Sequence, residues 1–241
     1  MVHCEEPHPT AYSREVPYIR RCVATITFSL LVLAAHTPTG VSARIYDPFV
    51  VTHITTNDPV VFITIDDGTM LTDEALQLIV SRKIPIATFG LPGPLHQNRQ
   101  QFRRLRRPGS SFENHTTTHQ TMAGLPYPRQ TWQICSANLA IKKQQKKVPR
   151  LFRPPGGAYD DITIAAAKRC GMEKIVLWNV EADRGVIVRS GGGLIQRGDI
   201  IVMHYLHSLT SSLDLLMKEL KRLGLHPGVL REYIAETQKY S

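Results

Sequence analysis

A chain of 241 residues with 42% hydrophobic and 20% charged side chains has ordinary globular composition. It can bury a core without disulfide scaffolding, and it is unlike a disordered, collagenous or polytopic membrane chain. Lys and Arg number 29 against 20 Asp and Glu, a net charge of +9, which points to an anionic neighbourhood (nucleic acid, phosphate-rich wall or lipid head groups) without choosing among them. Four cysteines with no C-x-x-C pair exclude a zinc ribbon or a disulfide-dense fold.

Residues 1–21 are polar and close on Arg20-Arg21; Cys22 to Ala35 is then an uncharged apolar run, followed by the small residues Val41, Ser42 and Ala43. Basic flank, apolar run and small-residue site, in that order, predict a signal peptide or membrane-targeting segment over residues 1–43. The run is shorter than the ~20 residues that span a bilayer. The expected protein is exported: secreted, associated with the cell wall, or anchored by an uncleaved N-terminal segment. Residues 44–58 read as a linker and 59–241 as the folded domain. In an oxidising compartment Cys135 and Cys170 could pair; two buried thiols are the alternative.

Val60–Ile65 is a short β-branched run that predicts a buried strand. A helix follows over 73–83, with Thr72 as its N-cap. Residues 85–90 predict a second strand, 97–107 a helix and 128–147 a longer amphipathic helix. Strands at 151–153, 174–180 and 199–204 alternate with helices at 160–171 and 208–224, the last carrying Leu213, Leu216 and Leu220 on one face. Alternation of this kind predicts an α/β fold with a largely parallel sheet, open or closed into a barrel.

In such folds the chemistry sits at the carboxyl ends of the strands. Polar residues do follow strand after strand: Asp66-Asp67-Gly68, then Asn114-His115 through His119, Arg153-Pro154-Pro155-Gly156-Gly157, Glu181-Ala182-Asp183 and His204. H-x-x-x-H would place His115 and His119 one helical turn apart, within reach of one metal. Alone it is a weak signal, and two exposed histidines near a helix start explain it as well. Paired carboxylates at a buried strand end repel, and a cation relieves them; an ordinary Asp-Gly turn is the bland alternative. One carboxylate and two histidines form a three-ligand site with an open position, suited to Zn²⁺ or a similar divalent ion acting on water. Arg153 can orient a carboxylate, and His204 can exchange protons near neutral pH.

These motifs, in this order, resemble the polysaccharide deacetylases, the NodB-homology family or carbohydrate esterase family 4. Thr64-Ile65-Asp66-Asp67-Gly68 is similar to T-F-D-D-G, His115 to His119 after Asn114 to the histidine motif, and Arg153-Pro154-Pro155-Gly156-Gly157 to R-x-P-[FY]-G. Ala87-Thr88-Phe89-Gly90 stands where the family has A-T-F-F. The resemblance implies a distorted (β/α) barrel of about seven strands. It implies metal-dependent removal of N-acetyl groups from GlcNAc-containing polysaccharide, peptidoglycan or chitin-like, with metal-bound water attacking the acetamide carbonyl. Asp67, His115 and His119 would hold the divalent ion, Zn²⁺ first and Co²⁺ or another ion as alternatives. Asp66 would be the base and His204 the acid. Arg153 would position Asp66, and Asp183 would hold Arg153 and tune His204 indirectly, with Glu181 competing for that role. The Gly156 N–H would hold the oxyanion, and Val202 would line the acetyl pocket.

The chain departs from the family pattern at Gly156, where an aromatic is usual, at Arg184, where tryptophan is usual, and at Val202, where leucine is usual. An O-acetyl esterase acting on xylan, or a catalytically decayed carbohydrate-binding protein, are therefore the alternatives. Arg99, Arg103, Arg104, Arg106 and Arg107 form one basic cluster and Lys142, Lys143, Lys146 and Lys147 another. They read as solvated helix faces able to associate with anionic wall or membrane surface; no nucleic-acid motif accompanies them. Trp178 reads as core.

Overall fold

A computed structural model describes residues 47–107 and 109–237. The expected leader over 1–43 lies outside the described residues. Ten strands occur among them, in chain order β1 (Val50–Val51), β2 (Val60–Asp67), β3 (Ala87–Gly90), β4 (Ser111–Asn114), β5 (Leu151–Phe152), β6 (Lys174–Val176), β7 (Val180–Asp183), β8 (Val186–Arg189), β9 (Ile200–His204) and β10 (His226–Pro227). The helices are α1 (Asp73–Ser81), α2 (Pro92–Gln97), α3 (Arg99–Arg104), α4 (Tyr127–Gln145), α5 (Asp161–Arg169), α6 (Leu209–Leu223) and α7 (Leu230–Thr237). None is long and apolar enough to cross a membrane.

The sheet runs β1-β6-β5-β4-β3-β2-β9-β7-β8, with β10 paired to the start of β2. Every pairing between these strands is parallel except the β7–β8 hairpin. This is the expected distorted (β/α) barrel, curled and open at its edges. The count exceeds seven through three additions: the two-residue strands β1 and β10 and the hairpin arm β8. The described part of the 44–58 segment is not a free linker. Val50 and Val51 pair with Ile175 and Val176, and Phe49, Val50 and Ile54 are buried. Two paired residues are too few to leave a periodic signal in sequence.

Alternation along the strands sorts the core into layers. On β2, Val61, Ile63 and Ile65 point outward with Ile201 and Met203 of β9, into the cluster shared with Ile79, Phe102 and Leu216 of α1, α3 and α6. Val60 and Phe62 of the other β2 face join Phe89, Val176, Leu230 and Ile234, so α7 packs into the barrel interior. A further cluster joins Phe152 and Ile175 to Ile134 of α4 and Ile164 of α5. A disulfide between Cys135 and Cys170 ties these two helices, which decides the pairing left open above. Continuing the inward face of β2 past Phe62 reaches Thr64 and then Asp66, so the pattern that builds the core also delivers a carboxylate to the open end.

The helix expected over 97–107 is the shorter α3, and an unexpected short helix, α2, precedes it; between them Asn98 Nδ2 donates to the carbonyls of Gly68 and Pro94 at 3.2 Å each. The strand expected over 174–180 breaks after Val176 and resumes as β7. At the break, Arg153 Nε donates to the Val176 carbonyl (2.9 Å) and Nη2 to that of Leu177 (3.2 Å). Glu181-Ala182-Asp183 therefore lies on a strand and not in a loop after one.

Candidate active site

Asp66 and Asp67 end β2. Asp66 is 2% exposed and receives a 2.7 Å hydrogen bond on Oδ1 from Arg153 Nη1. Arg153 is fully buried and also donates from Nη1 to Thr64 Oγ1 at 2.7 Å. Its guanidinium lies 4.2 Å from the Phe89 ring centre and 5.4 Å from that of Trp178. Burial pushes its pKa down, against the pull of Asp66, yet a guanidinium keeps its charge. A fixed cation thus holds one Asp66 oxygen and leaves Oδ2 facing His115 Nε2 at 3.9 Å.

Asp67 turns away with φ 73°, followed by Gly68 at φ 84°. This sharp, left-handed exit sends neighbouring carboxylates in different directions. Asp67 Oδ1 lies 3.3 Å from His119 Nε2 and 3.6 Å from His115 Nε2. It is buried and has no hydrogen-bond partner, a costly state for a carboxylate oxygen unless a cation shares the space. Ligand atoms of Asp67, His115 and His119 all lie within 4.8 Å of one another. A carboxylate and two imidazoles are the donor chemistry of a divalent transition-metal site with open positions. The three residues expected as ligands are thus brought together, and they fit such an ion.

The two histidines are not on a helix. Residues 115–120 form a loop beyond β4, with left-handed φ at Thr116 (72°) and His119 (60°), the kind of backbone strain that functional sites hold. The surroundings specify the loop. Asn114 Oδ1 accepts from the Thr116 N–H at 2.8 Å, and the His119 N–H donates to Thr116 Oγ1 at 3.0 Å. Gln133, fully buried on α4, accepts on Oε1 from the N–H groups of Thr117 (3.0 Å) and Thr118 (3.1 Å). Sequence reasoning missed Gln133; an apolar-face position filled by glutamine was its only signal. His115 Nδ1 meets the Arg153 carbonyl at 2.8 Å, which directs Nε2 toward Asp67. Burial lowers its pKa against the raising influence of Asp66 and Asp67, favouring the neutral ring that ligation requires.

His204 ends β9 opposite Asp66. Its Nδ1 meets Asp183 Oδ2 at 2.5 Å, and its N–H donates to Asp183 Oδ1 at 3.1 Å. This corrects the expected relay: Asp183 holds His204 directly, and Arg153 is held by Asp66, Thr64 and two carbonyls. Glu181 is exposed and takes neither part. The Asp183 hydrogen bond raises the His204 pKa, with burial opposing and Asp66 and Asp67 adding to the rise.

A cleft of ≈ 490 Å³ passes Asp67, Asp183 and His204 and is walled by Glu181, Arg184, Val186 and Leu206. Val202, expected on the acetyl pocket, is fully buried two residues before His204 on β9 and is not among the residues lining this cleft, whose apolar side is formed by Val186 and Leu206. Gly156 sits in a turn with φ 62°, and a Cβ there would meet nothing within 4 Å, so the aromatic wall usual in that motif is replaced by open space. Trp178 is half-buried and packs against the core cluster of Phe62, Phe89 and Val176, in keeping with the core reading; a Cβ at Gly157 would lie 3.3 Å from its ring. Arg184 tops the two-residue β7–β8 turn with Gly185, both at positive φ.

A sequence model described as polysaccharide deacetylase matches residues 53–175, a span holding Asp66, Asp67, His115, His119 and Arg153. The chain belongs to the polysaccharide deacetylase family. The uncharacterised protein SCO4760 of Streptomyces coelicolor is 34% identical over 196 residues, 78% of each chain. A peptidoglycan-N-acetylglucosamine deacetylase of Bacillus cereus is 25% identical over 190 residues, 73% of this chain and 88% of that one. Among solved structures, a pseudoenzyme of the CE4 family from Bacillus anthracis superposes with a TM-score of 0.65 at 21% identity, covering 78% of this chain and 69% of that one. At that identity the likeness is one of fold.

Proposed function

We propose that this chain is a metal-dependent hydrolase that removes N-acetyl groups from a GlcNAc-containing polysaccharide, peptidoglycan being the first candidate. The observation that carries the reading is the orphaned Asp67 oxygen between two imidazoles, beside a second carboxylate that is separately held by a buried arginine. Asp67, His115 and His119 would hold the divalent ion, Zn²⁺ or a similar borderline metal. When bound, that ion supplies Lewis acidity, polarising a carbonyl and bringing the pKa of water to about 7.

The remaining roles fall to the chain's own groups. Asp66 Oδ2 is the oxygen left to take a proton, because Arg153 occupies Oδ1. His204 keeps its proton toward higher pH through Asp183, the state an acid needs to protonate a departing amine. Base and acid stand on neighbouring strands, facing the cleft. The Gly156 N–H supplies an oxyanion donor in this scheme. Intact Asp66, Asp67, His115, His119, Arg153 and His204 argue against a decayed binder, and the peptidoglycan deacetylase relative supports the acetamide substrate. Export is part of the proposal, and the Cys135–Cys170 disulfide supports it, since such bonds persist in oxidising compartments.

The test offers purified protein N-acetylated GlcNAc oligomers, peptidoglycan and acetylated xylan, with and without chelator. Acetate from the first two, abolished by chelator, is the expected result. Acetate from xylan alone would replace the proposal with an O-acetyl esterase; metal binding without acetate from any of them would replace it with a sugar-binding protein.

A further inference from the structure

The net positive charge is concentrated in one stretch. Residues 75–159 hold 14 Lys and Arg and one acid, Glu113. That acid is fully buried and paired with Arg231. The two basic clusters of the sequence meet in the fold. Arg106 Nε donates to Gln145 Oε1 at 3.0 Å, and Gln144 Nε2 donates to the Pro92 carbonyl at 3.0 Å, locking α2 and α3 to the end of α4. The seam is a groove of ≈ 270 Å³ lined by His96, Arg99, Arg103, Arg106, Gln144 and Lys146. Lys146 also borders a second hollow of ≈ 420 Å³, formed by Leu139, Lys142, Lys143 and Val148. Leu139 is 71% and Val148 53% exposed. Among the described residues Arg99, Arg103, Lys142, Lys143 and Lys146 make no ion pair.

The placement of this surface is informative. A helix joining parallel strands returns the chain from their carboxyl ends to their amino ends. α3 leads into β4 and α4 into β5, so the last turns of both lie at the end of the barrel opposite the catalytic cluster. β1 is parallel to β6, so the chain enters the domain from that same end. Lys174 Nζ marks the entry, donating to the Pro48 carbonyl at 2.8 Å.

We propose that this end of the barrel docks on an anionic phospholipid membrane, with the catalytic cleft at the end facing away from it. Charge complementarity argues for an anionic partner. The exposed Leu139 and Val148 inside the lysine ring argue for a lipid surface over a soluble polyanion, because apolar side chains gain by entering the headgroup boundary and gain nothing from a solvated phosphate chain. The inference stands apart from the catalytic proposal, since it uses none of the cleft residues.

Full-length protein is to be mixed with vesicles of phosphatidylcholine alone or of phosphatidylcholine with phosphatidylglycerol. The N-terminal segment is common to the native protein and every variant, so the readout is the preference between vesicles and its change on substitution, not total binding. The expected preference for anionic vesicles is at least ~10-fold, and it is lost near 1 M salt, a condition that needs no variant. Lys142→Gln with Lys143→Gln and Lys146→Gln is expected to remove most of it, with acetate release from soluble oligomers unchanged. Leu139→Ser with Val148→Ser is expected to weaken vesicle binding and leave binding to soluble polyphosphate as it was. Equal binding to both vesicles overturns the proposal. So does polyphosphate or duplex DNA that outcompetes the vesicles, together with indifference to the Leu139 and Val148 changes.

Discussion

Asp183 grips His204 twice, once through the imidazole Nδ1 and once through the backbone N–H. The pair fixes both the position and the protonation of the ring, and Nε2 is left for the cleft. Replacing Asp183 with Asn weakens the hydrogen bond that chiefly raises the His204 pKa and removes one of the neighbouring charges that add to the rise. The alkaline limb of the kcat/KM profile should then move to lower pH, while the acid limb stays. His204→Ala should lower kcat about 10²- to 10⁴-fold, the range of a lost acid–base group. The sign carries to stability. The raised folded-state pKa contributes stability that is fully present below the ordinary imidazole value and lost as pH rises through the raised one. Asp183→Asn should therefore narrow the difference in thermal midpoint between acidic and alkaline buffer.

His119 and His115 both approach Oδ1 of Asp67 but differ in surroundings: the His119 side chain is 48% exposed and that of His115 2%. His119→Ala should abolish stoichiometric metal and cost little fold stability, within the ~0.5 kcal/mol usual at exposed positions. Chelator should lower the thermal midpoint of the native protein and leave that of His119→Ala unchanged, since only a folded three-donor site gains from bound ion. Unchanged metal content in the variant, read by elemental analysis, would remove His119 from the set.

Gln133 is the residue through which α4 shapes the histidine loop. Its two N–H acceptor contacts and its donations to Thr118 Oγ1 (2.7 Å) and Gln120 Oε1 (3.1 Å) use the whole side-chain amide. Gln133→Leu keeps the volume and leaves two N–H groups unpaired, at about 1–3 kcal/mol for each one that stays buried. Metal affinity should fall ~10- to 100-fold, the usual effect of removing support behind a ligand. A titration showing unchanged affinity would mean that the loop holds its shape without α4.

The strand ends were legible because β2 and β9 are long enough for alternation to show, and alternation places Asp66 and His204 at the end of an inward face. The motif order supplied Asp67, His115, His119 and Arg153. What escaped was set by partners distant in sequence. Ser111–Asn114 has no β-branched run, and β4 forms because Phe112 enters the core and Glu113 is neutralised by Arg231, 118 residues away. H-x-x-x-H suggests a helical turn, but hydrogen bonds from Asn114 and Gln133 impose a loop. The apolar run 174–180 reads as continuous, but in the fold it breaks after Val176, where the buried Arg153 takes the Val176 and Leu177 carbonyls, and Asp183 meets His204 from the following strand.

Asp160 ties the start of α5 to α4 and to the loop that precedes α4. It N-caps α5 in a capping box with Thr163 and also accepts from the Gly124 N–H at 2.8 Å and from Gln130 Nε2 at 3.1 Å. Desolvation works against its charge, but the hydrogen bonds from Gly124, Thr163 and Gln130 bring its pKa down to about 2. Asp160→Ala should cost about 1–2 kcal/mol at neutral pH, the usual worth of a cap. For a domain of this size each kcal/mol lowers the midpoint by roughly 2–4 °C. Asp160→Asn should recover most of that, because the amide oxygen still caps. A folded-state pKa below the ordinary carboxylate value contributes stability that is present above the ordinary value and lost as pH falls through about 2. The gap between native protein and Asp160→Asn should therefore close on acidification. A gap that stays constant from pH 7 to pH 3 would assign the effect to hydrogen-bond geometry and not to charge.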